Sequence, residues 1–288
     1  SPANLGPAVS AQRMFNLAAL SETVSGPGVA ASLPQHVLAR GKKAFIVTDQ
    51  GVRGAGIVTP IVENLEKAGV PTLVFDQVSP NPTDVNVAAG VAALNRFGVE
   101  GTVVVFIGGG SVMDCGKYIA LAAPNGVDNL HLAFAPNLDA NDRIDFGTLA
   151  PRAQASKPGL PTIALPTTSG TASETNGGGL ITDTLTNPKV HRKLTFSNPS
   201  VAPAVVLLDP TLTLGMPARG TAACGMDVLT HAIECYTSAG SNPYADALAL
   251  HAIRLTGQWL PKVVINGSDL EARAQMQIAS HLAGRAFS

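Results

Sequence analysis

Apolar and polar positions change their spacing along the chain near residue 213. Before that point, short continuous apolar runs alternate with amphipathic segments, a pattern typical of buried parallel strands separated by helices. After it, the apolar positions recur at helical spacing. The predicted strands are 43–49, 72–76, the run from 101 up to the glycines at 108–110, 161–166, 179–183 and 204–209; the predicted helices are 57–68, 83 or 84 to about 97, 221–238, 243–260 and 270–287.

This change predicts an α/β domain with a mostly parallel sheet at 1–212, followed by an all-α domain at 213–288. A cleft between them is the expected ligand site, since ligands favour domain interfaces and the carboxyl ends of strands. Pro243 is predicted to start its helix and Pro261 to lie just past the end of it. Residues 121–158, rich in Pro, Asn and Asp, are expected to form an extended surface region.

Composition narrows the class of protein. Of 288 residues, 45% are hydrophobic and only 14% are charged, which favours a large buried core and a homo-oligomer. The net charge of −1 argues against nucleic acid and anionic membranes as partners. Three cysteines without metal-type spacing, no apolar run of about 20 residues and no signal-like start predict a cytoplasmic protein.

Two features at strand ends suggest a nucleotide site. Asp49 follows a buried strand, where a carboxylate either accepts hydrogen bonds from a ribose or caps the next helix. Gly108, Gly109 and Gly110 join a strand to a helix, which makes either an anion site or only a tight turn. Ser111 and Asp114 have the spacing of a capping box. The Walker and GxGxxG phosphate motifs do not fit, because Tyr118 and Met113 occupy required positions.

Two further segments carry polar side chains in suggestive places. The hydroxyl-rich segment 167–174 follows a strand and could wrap a sugar or a phosphate, although turns share its composition. The basic group at 189–193 is either a solvated hairpin or a source of cations near a cofactor.

Asp227 and His231 lie four residues apart on a predicted helix, so both side chains leave one face. They could bind a divalent metal, or simply form a hydrogen bond or an exposed polar face.

Three longer motifs, in order along the chain, resemble signatures of the iron-dependent (group III) alcohol dehydrogenases. Gly108–Lys117 resembles GGGSxxDxxK, Pro166–Glu174 resembles PTTxGTxSE, and Gly225–Glu234 is similar to GMDxLTHAIE. The shorter matches are Val47–Asp49, Pro80–Thr83, Ile181–Asp183 and Asp209–Pro210. The likeness runs from about residue 26 to the end.

The resemblance implies an oxidoreductase that transfers a hydride between a small primary alcohol or diol and NAD, with iron polarising the substrate oxygen. It implies that Asp49 holds the adenosine ribose and favours NAD. Asp227 and His231 would be two of four ligands of Fe²⁺, with Zn²⁺ or another divalent metal as the alternative. The remaining cofactor-binding residues that it implies are Asn81, Gly108, Gly109, Gly110, Ser111, Asp114, Thr167, Thr168 and Lys193.

One departure keeps alternatives open. The family's other two metal ligands are histidines beyond the segment that Ala283–Ser288 resembles, and His251 and His281 do not align with them. This predicts a chain truncated at its C-terminus, or a metal-poor relative. The alternative functions are a non-catalytic NAD-binding fragment or relative without a complete metal site, and a metal-independent enzyme similar to the maleylacetate reductases.

Overall fold

The computed structural model describes residues 21–138, 144–151, 153–186, 189 and 191–288. The first twenty residues of the expected first domain therefore lie outside the described part. Within these ranges the strands are β1 (Glu22–Ser25), β2 (Lys43–Val47), β3 (Thr72–Phe75), β4 (Thr102–Gly108), β5 (Phe134–Leu138), β6 (Ile144–Pro151), β7 (Thr162–Pro166), β8 (Gly178–Asp183), β9 (Arg192–Ser197) and β10 (Val205–Leu208). The α-helices are α1 (Leu33–Leu38), α2 (Gln50–Gly54), α3 (Val58–Lys67), α4 (Asp84–Phe97), α5 (Gly110–Ala122), α6 (Ala218–Thr237), α7 (Pro243–Ile265) and α8 (Leu270–Phe287).

A six-stranded parallel sheet in the order β1-β10-β7-β4-β2-β3 forms the centre of the first part. Every residue of β4 is buried, as its continuous apolar run predicts. One apolar core on the face of α4 and α5 includes Phe45 and Phe106, and a second core on the other face includes Ile46 and Val105. The mostly parallel sheet is confirmed.

The strand order reverses between β2 and β4. From β2 the chain crosses to β3 on one side and then returns to β4 on the other side. Such a reversal opens a crevice outside the carboxyl ends of the two strands, where open α/β sheets bind ligands. Asp49 follows β2 and Gly109 follows β4, so both lie at this crevice.

A second, antiparallel sheet in the order β6-β5-β9-β8 was not expected from the sequence. The strand predicted at 179–183 is β8, but it pairs with β9 in a hairpin instead of extending the parallel sheet. The prediction of an extended surface region at 121–158 was partly wrong, because β5 and β6 lie there. Glycines and polar residues make these strands hard to recognise from apolar pattern alone.

Helices α6, α7 and α8 pack around one core that includes Val228, Ala252 and Ala279, which confirms the all-α region. The predicted position of Pro261 was wrong, because it lies inside α7. Its missing N–H costs one hydrogen bond, but the helix continues because the last turn carries Val263 into the core, with no exposed surface. None of the helices in the described ranges has the length and apolar character that a membrane crossing needs.

Candidate cofactor and metal site

A cavity of about 910 Å³ lies where the glycine turn, the β8–β9 hairpin and the helical part meet. Its volume is near the upper end of the range for small-molecule and cofactor sites, about 300–1,000 Å³. The sequence-predicted residues that line it are Asn81, Gly110, Ser111, Asp114, Lys193, Asp227 and His231.

The glycine turn needs residues without a side chain. A Cβ on Gly108 would lie 2.6 Å from Val112 Cβ, and one on Gly110 would lie 2.7 Å from the Thr171 side chain. Gly109 is the N-cap of α5, and because it has no side chain it cannot cap the first N–H groups of the helix. The first N–H groups of α5, which have no partners within the helix, can therefore donate to a ligand, and the helix dipole favours an anion there.

The predicted capping box of Ser111 and Asp114 was wrong. Asp114 lies one turn into α5, and its carboxylate accepts hydrogen bonds from Ser173 Oγ at 2.5 Å and from the Leu180 N–H at 2.9 Å. Asp114 thus ties α5 to the loop after β7 and to β8. The local spacing was right for a cap, but these long-range partners take up both oxygens.

Lys117, one residue past the middle of α5, is fully buried and bonds the backbone below the cavity. Its Nζ donates to Ser173 Oγ at 2.7 Å, to the Ser173 carbonyl at 2.9 Å and to the Gly178 carbonyl. Burial lowers the pKa of Lys117, and the negative charges of Asp114 and Glu174 oppose that shift. Sequence reasoning did not identify this lysine as a site residue, although it ends the GGGSxxDxxK-like motif.

Asn81, Ser111 and Lys193 are brought together at the rim. The Asn81 Oδ1 atom accepts a hydrogen bond from Lys193 Nζ at 2.8 Å, and the Asn81 N–H donates to Ser111 Oγ at 3.3 Å. Asn81 has φ = 54°, a left-handed conformation that asparagine tolerates better than most residues. Of the basic group at 189–193, Lys193 is the member that lines the cavity.

The hairpin that carries Lys193 is anchored by Asp84, at the start of α4. This buried carboxylate accepts hydrogen bonds from the Thr184 hydroxyl at 2.6 Å and from the N–H groups of Thr184 and Leu185. Burial alone would raise the pKa of Asp84, but these hydrogen bonds and one from the Val85 N–H outweigh it and lower the pKa below its ordinary value of 3.8.

We expect Asp84→Asn to lower the free energy of unfolding at pH 7 by about 1–3 kcal/mol, since an amide cannot accept at both former oxygens. Because the folded pKa lies below the unfolded one, the carboxylate stabilises fully above the unfolded pKa of 3.8 and loses this contribution as pH falls through the folded pKa. Urea unfolding at pH 7, 5 and 3 measures this. The gap between wild type and variant should shrink in acid, whereas the exposed control Asp128→Asn should show little gap at any pH.

Five predicted cofactor residues lie outside the cavity lining: Gly108 and Gly109, in the glycine turn described above, and Asp49, Thr167 and Thr168. Asp49 is the N-cap of α2, where its Oδ1 accepts from the Val52 N–H at 2.9 Å. Thr167 is buried, and its N–H donates to the Gly108 carbonyl at 3.0 Å. The Thr168 side chain packs against Gly109: a Cβ on that glycine would lie 3.1 Å from Thr168 Cγ2. Thr167 and Thr168 therefore support the glycine turn from behind.

Asp227 and His231 project from α6 into the cavity, with Asp227 Oδ1 and His231 Nε2 3.6 Å apart. Two atoms so spaced can both reach one divalent cation at about 2.1 Å. His231 Nδ1 is buried without a hydrogen-bond partner in the described part of the chain, and the ring packs edge-on against Phe287 with centroids 5.0 Å apart.

The chemistry of the pair, one carboxylate and one imidazole, fits two ligands of a divalent metal. Among the residues that the structure describes, no group of three or more His, Cys, Asp or Glu side chains could hold a metal ion. The histidines of α7 and α8 make other contacts: His251 Nδ1 bonds Arg254, and His281 bonds Glu174 and Thr23.

Comparison with known proteins places these motifs in a family. Residues 21–210 match the family model described as iron-containing alcohol dehydrogenase, and residues 221–288 match the model of the C-terminal part of the same family. The chain is 38% identical over 279 residues to a 1,3-propanediol dehydrogenase of Citrobacter freundii, covering 96% of this chain and 66% of that protein. It is 36% identical over 247 residues to an NAD-dependent methanol dehydrogenase of Bacillus methanolicus, covering 86% of this chain and 59% of that protein.

A solved structure agrees with the fold. The crystal structure of a 1,3-propanediol oxidoreductase superposes with a TM-score of 0.82 at 38% identity, covering 96% of this chain and 66% of that one. The chain thus spans 59–66% of the length of these relatives.

Proposed function

This chain belongs to the iron-containing alcohol dehydrogenase family, and we propose that it transfers a hydride between a small primary alcohol or diol and NAD. The observation that carries the proposal is that one cavity is lined by both the glycine turn of α5 and the Asp227–His231 pair of α6. A helix N-terminus with bare glycines suits the phosphates of a dinucleotide. A carboxylate and an imidazole on the facing wall suit a divalent metal.

The cofactor half is assigned to the edge of the parallel sheet. We propose that the free N–H groups at Gly109, Gly110 and Ser111 receive the pyrophosphate, with Gly108 and Asp114 shaping the same turn. Lys193 and Asn81 would contact the rest of the cofactor from the hairpin side, and Thr167 and Thr168 would keep the turn in place. Asp49, at the end of β2, would accept from the adenosine ribose through the oxygen that does not cap α2. NAD is favoured because a similar methanol dehydrogenase is named as NAD-dependent.

The substrate half is assigned to the helical part. Asp227 and His231 would hold a divalent metal, which we propose to be Fe²⁺, although an oxygen and a nitrogen ligand also suit Zn²⁺. The bound metal and NAD would supply, respectively, Lewis-acid polarisation of the substrate oxygen and the hydride acceptor. The chain itself orients the alcohol between the two sites. This division corresponds to the proposed domains, 1–212 for the cofactor and 213–288 for the metal.

The test is alcohol-dependent reduction of NAD, followed at the absorbance of NADH, by the anaerobically purified chain. Short primary alcohols and diols should give turnover that a chelator abolishes and Fe²⁺ restores. Metal content after reconstitution should fall in the Asp227→Ala, His231→Ala double variant and stay unchanged in the control His251→Ala.

The other outcomes distinguish the alternatives. NAD binding without turnover of any short alcohol would indicate a non-catalytic relative or fragment. Turnover that survives both the chelator and the double substitution would indicate a metal-independent enzyme similar to the maleylacetate reductases.

A further inference from the structure

One face of α8 lies against the loop after β7. Gln277, His281, Gly284 and Ser288 are spaced by four, three and four residues, so they share a side of the helix. The segment that they meet, 166–175, is called here the hydroxyl loop.

This face of α8 makes hydrogen bonds to the loop at both ends, and in the middle the helix backbone packs tightly against it. Gln277 Nε2 donates to the Pro166 carbonyl at 3.2 Å. Ser288 Oγ and Thr175 Oγ1 are 3.0 Å apart. Between them, a Cβ on Gly284 would lie only 2.4 Å from Ala172 Cβ, so the backbone of α8 comes directly against the loop.

His281 makes the charged contact of this face. Its Nδ1 lies 3.3 Å from Glu174 Oε1, and its Nε2 lies 3.2 Å from Thr23 Oγ1. Glu174 is only 3% exposed. The Glu174 carboxylate accepts a hydrogen bond from His281 Nδ1 in the tautomer that carries its proton on that nitrogen. A buried carboxylate without such a donor would be strongly disfavoured.

The hydroxyl loop needs an external hold because its backbone is strained. Ala172 has φ = 53°, a left-handed conformation that residues with a Cβ avoid unless the surroundings impose it. Its two neighbours both line the cavity. Thr171 packs against Gly110, and Ser173 donates to Asp114. A shift at Ala172 would therefore move the wall that faces the glycine turn.

We propose that His281 is a positioning residue that, through Glu174, holds the hydroxyl loop in the conformation that accepts NAD. The inference rests on the proposed function for its cofactor, but the hold on the loop concerns this chain alone. It makes α8 a structural link between the helical part and the nucleotide site.

The test compares four variants whose side chains keep different parts of the contact. His281→Asn retains a donor near Nδ1, His281→Gln retains one near Nε2, and His281→Leu retains only packing. Thr23→Val removes the other partner of the histidine and serves as the matched control. Two properties are measured on each intact chain: hydrogen–deuterium exchange of the amides at 171–178 without cofactor, and the Kd for NAD by calorimetry.

We expect faster exchange at 171–178 and about tenfold weaker NAD binding in His281→Leu and His281→Gln, a loss typical of one hydrogen bond to a charged group. His281→Asn and Thr23→Val should remain close to wild type in both. Thermal unfolding of each variant checks that the effect is local.

Unchanged exchange in His281→Leu would overturn the inference, as would faster exchange with unaltered affinity for NAD. Retention of both properties by His281→Gln but not by His281→Asn would assign the effect to Thr23 and also overturn it. A wild-type chain that binds no NAD would refute the proposed function instead, and the exchange data would still decide whether His281 holds the loop.

Discussion

Lys117→Met is expected to lower the free energy of unfolding by about 3–5 kcal/mol, the range for breaking a buried ion pair by removing one partner. The lysine has no exposed surface, and its ammonium group bonds Ser173 and the Gly178 carbonyl. Methionine fills the volume but donates nothing. It would leave these oxygens unpaired and the carboxylates of Asp114 and Glu174 without their nearby positive charge.

Urea unfolding at pH 7 measures this loss, with the exposed Lys67→Met as the matched control. The control should change stability by less than about 0.5 kcal/mol, as surface substitutions usually do. Equal stabilities of the two variants would mean that the buried ammonium contributes nothing net. In that case, backbone contacts alone would hold the hydroxyl loop in place.

Gly110→Ala is the substitution expected to affect cofactor binding most, weakening the affinity for NAD by about ten- to a hundredfold. The new methyl group would lie 2.7 Å from Thr171 Oγ1 and Cγ2, so either the loop or the first turn of α5 must move. Removing the obstructing atoms with Thr171→Ala in the same chain should recover most of the loss, which a double-mutant cycle quantifies.

Calorimetric titration with NAD provides the numbers, and Gly215→Ala is the control because a Cβ there meets nothing within 4 Å. Wild-type affinity in Gly110→Ala would remove the glycine turn from the proposed cofactor site. A double variant as weak as the single one would instead show that the methyl group itself blocks the nucleotide.

Local patterns predicted most of the fold. The apolar runs of β2, β4 and β7 and the helical spacing of α6 and α8 are strong signals, because each segment buries a face or is buried throughout. The second sheet was missed because β8 begins with two glycines and gains its partners from β9. The end of α7 was misplaced because tertiary packing of Val263 overrides the break that Pro261 predicts.

The candidate site divides in the same way. Asp227 and His231 were found because their relation is one helical turn, and the glycine turn because it is contiguous in sequence. The partners of Asp114, Lys117 and His281 were not found, since Ser173 and Glu174 are brought to them only by the folded chain. Sequence spacing can propose a donor set, but it cannot show which distant acceptor uses it.

The strand order has a consequence for how the protein is made. The edge strand β1 pairs in parallel with β10, with Glu22 opposite Val205. The partner of β1 is therefore synthesised about 180 residues after β1 itself. Contacts so far apart in sequence are slow to form because the entropy of closing the loop is lost before the pairing rewards it. During translation the hydrogen-bonding groups of β1 stay unpaired until β10 has left the ribosome. Chains released before that point lack β10, so β1 has no partner strand and is a template for aggregation.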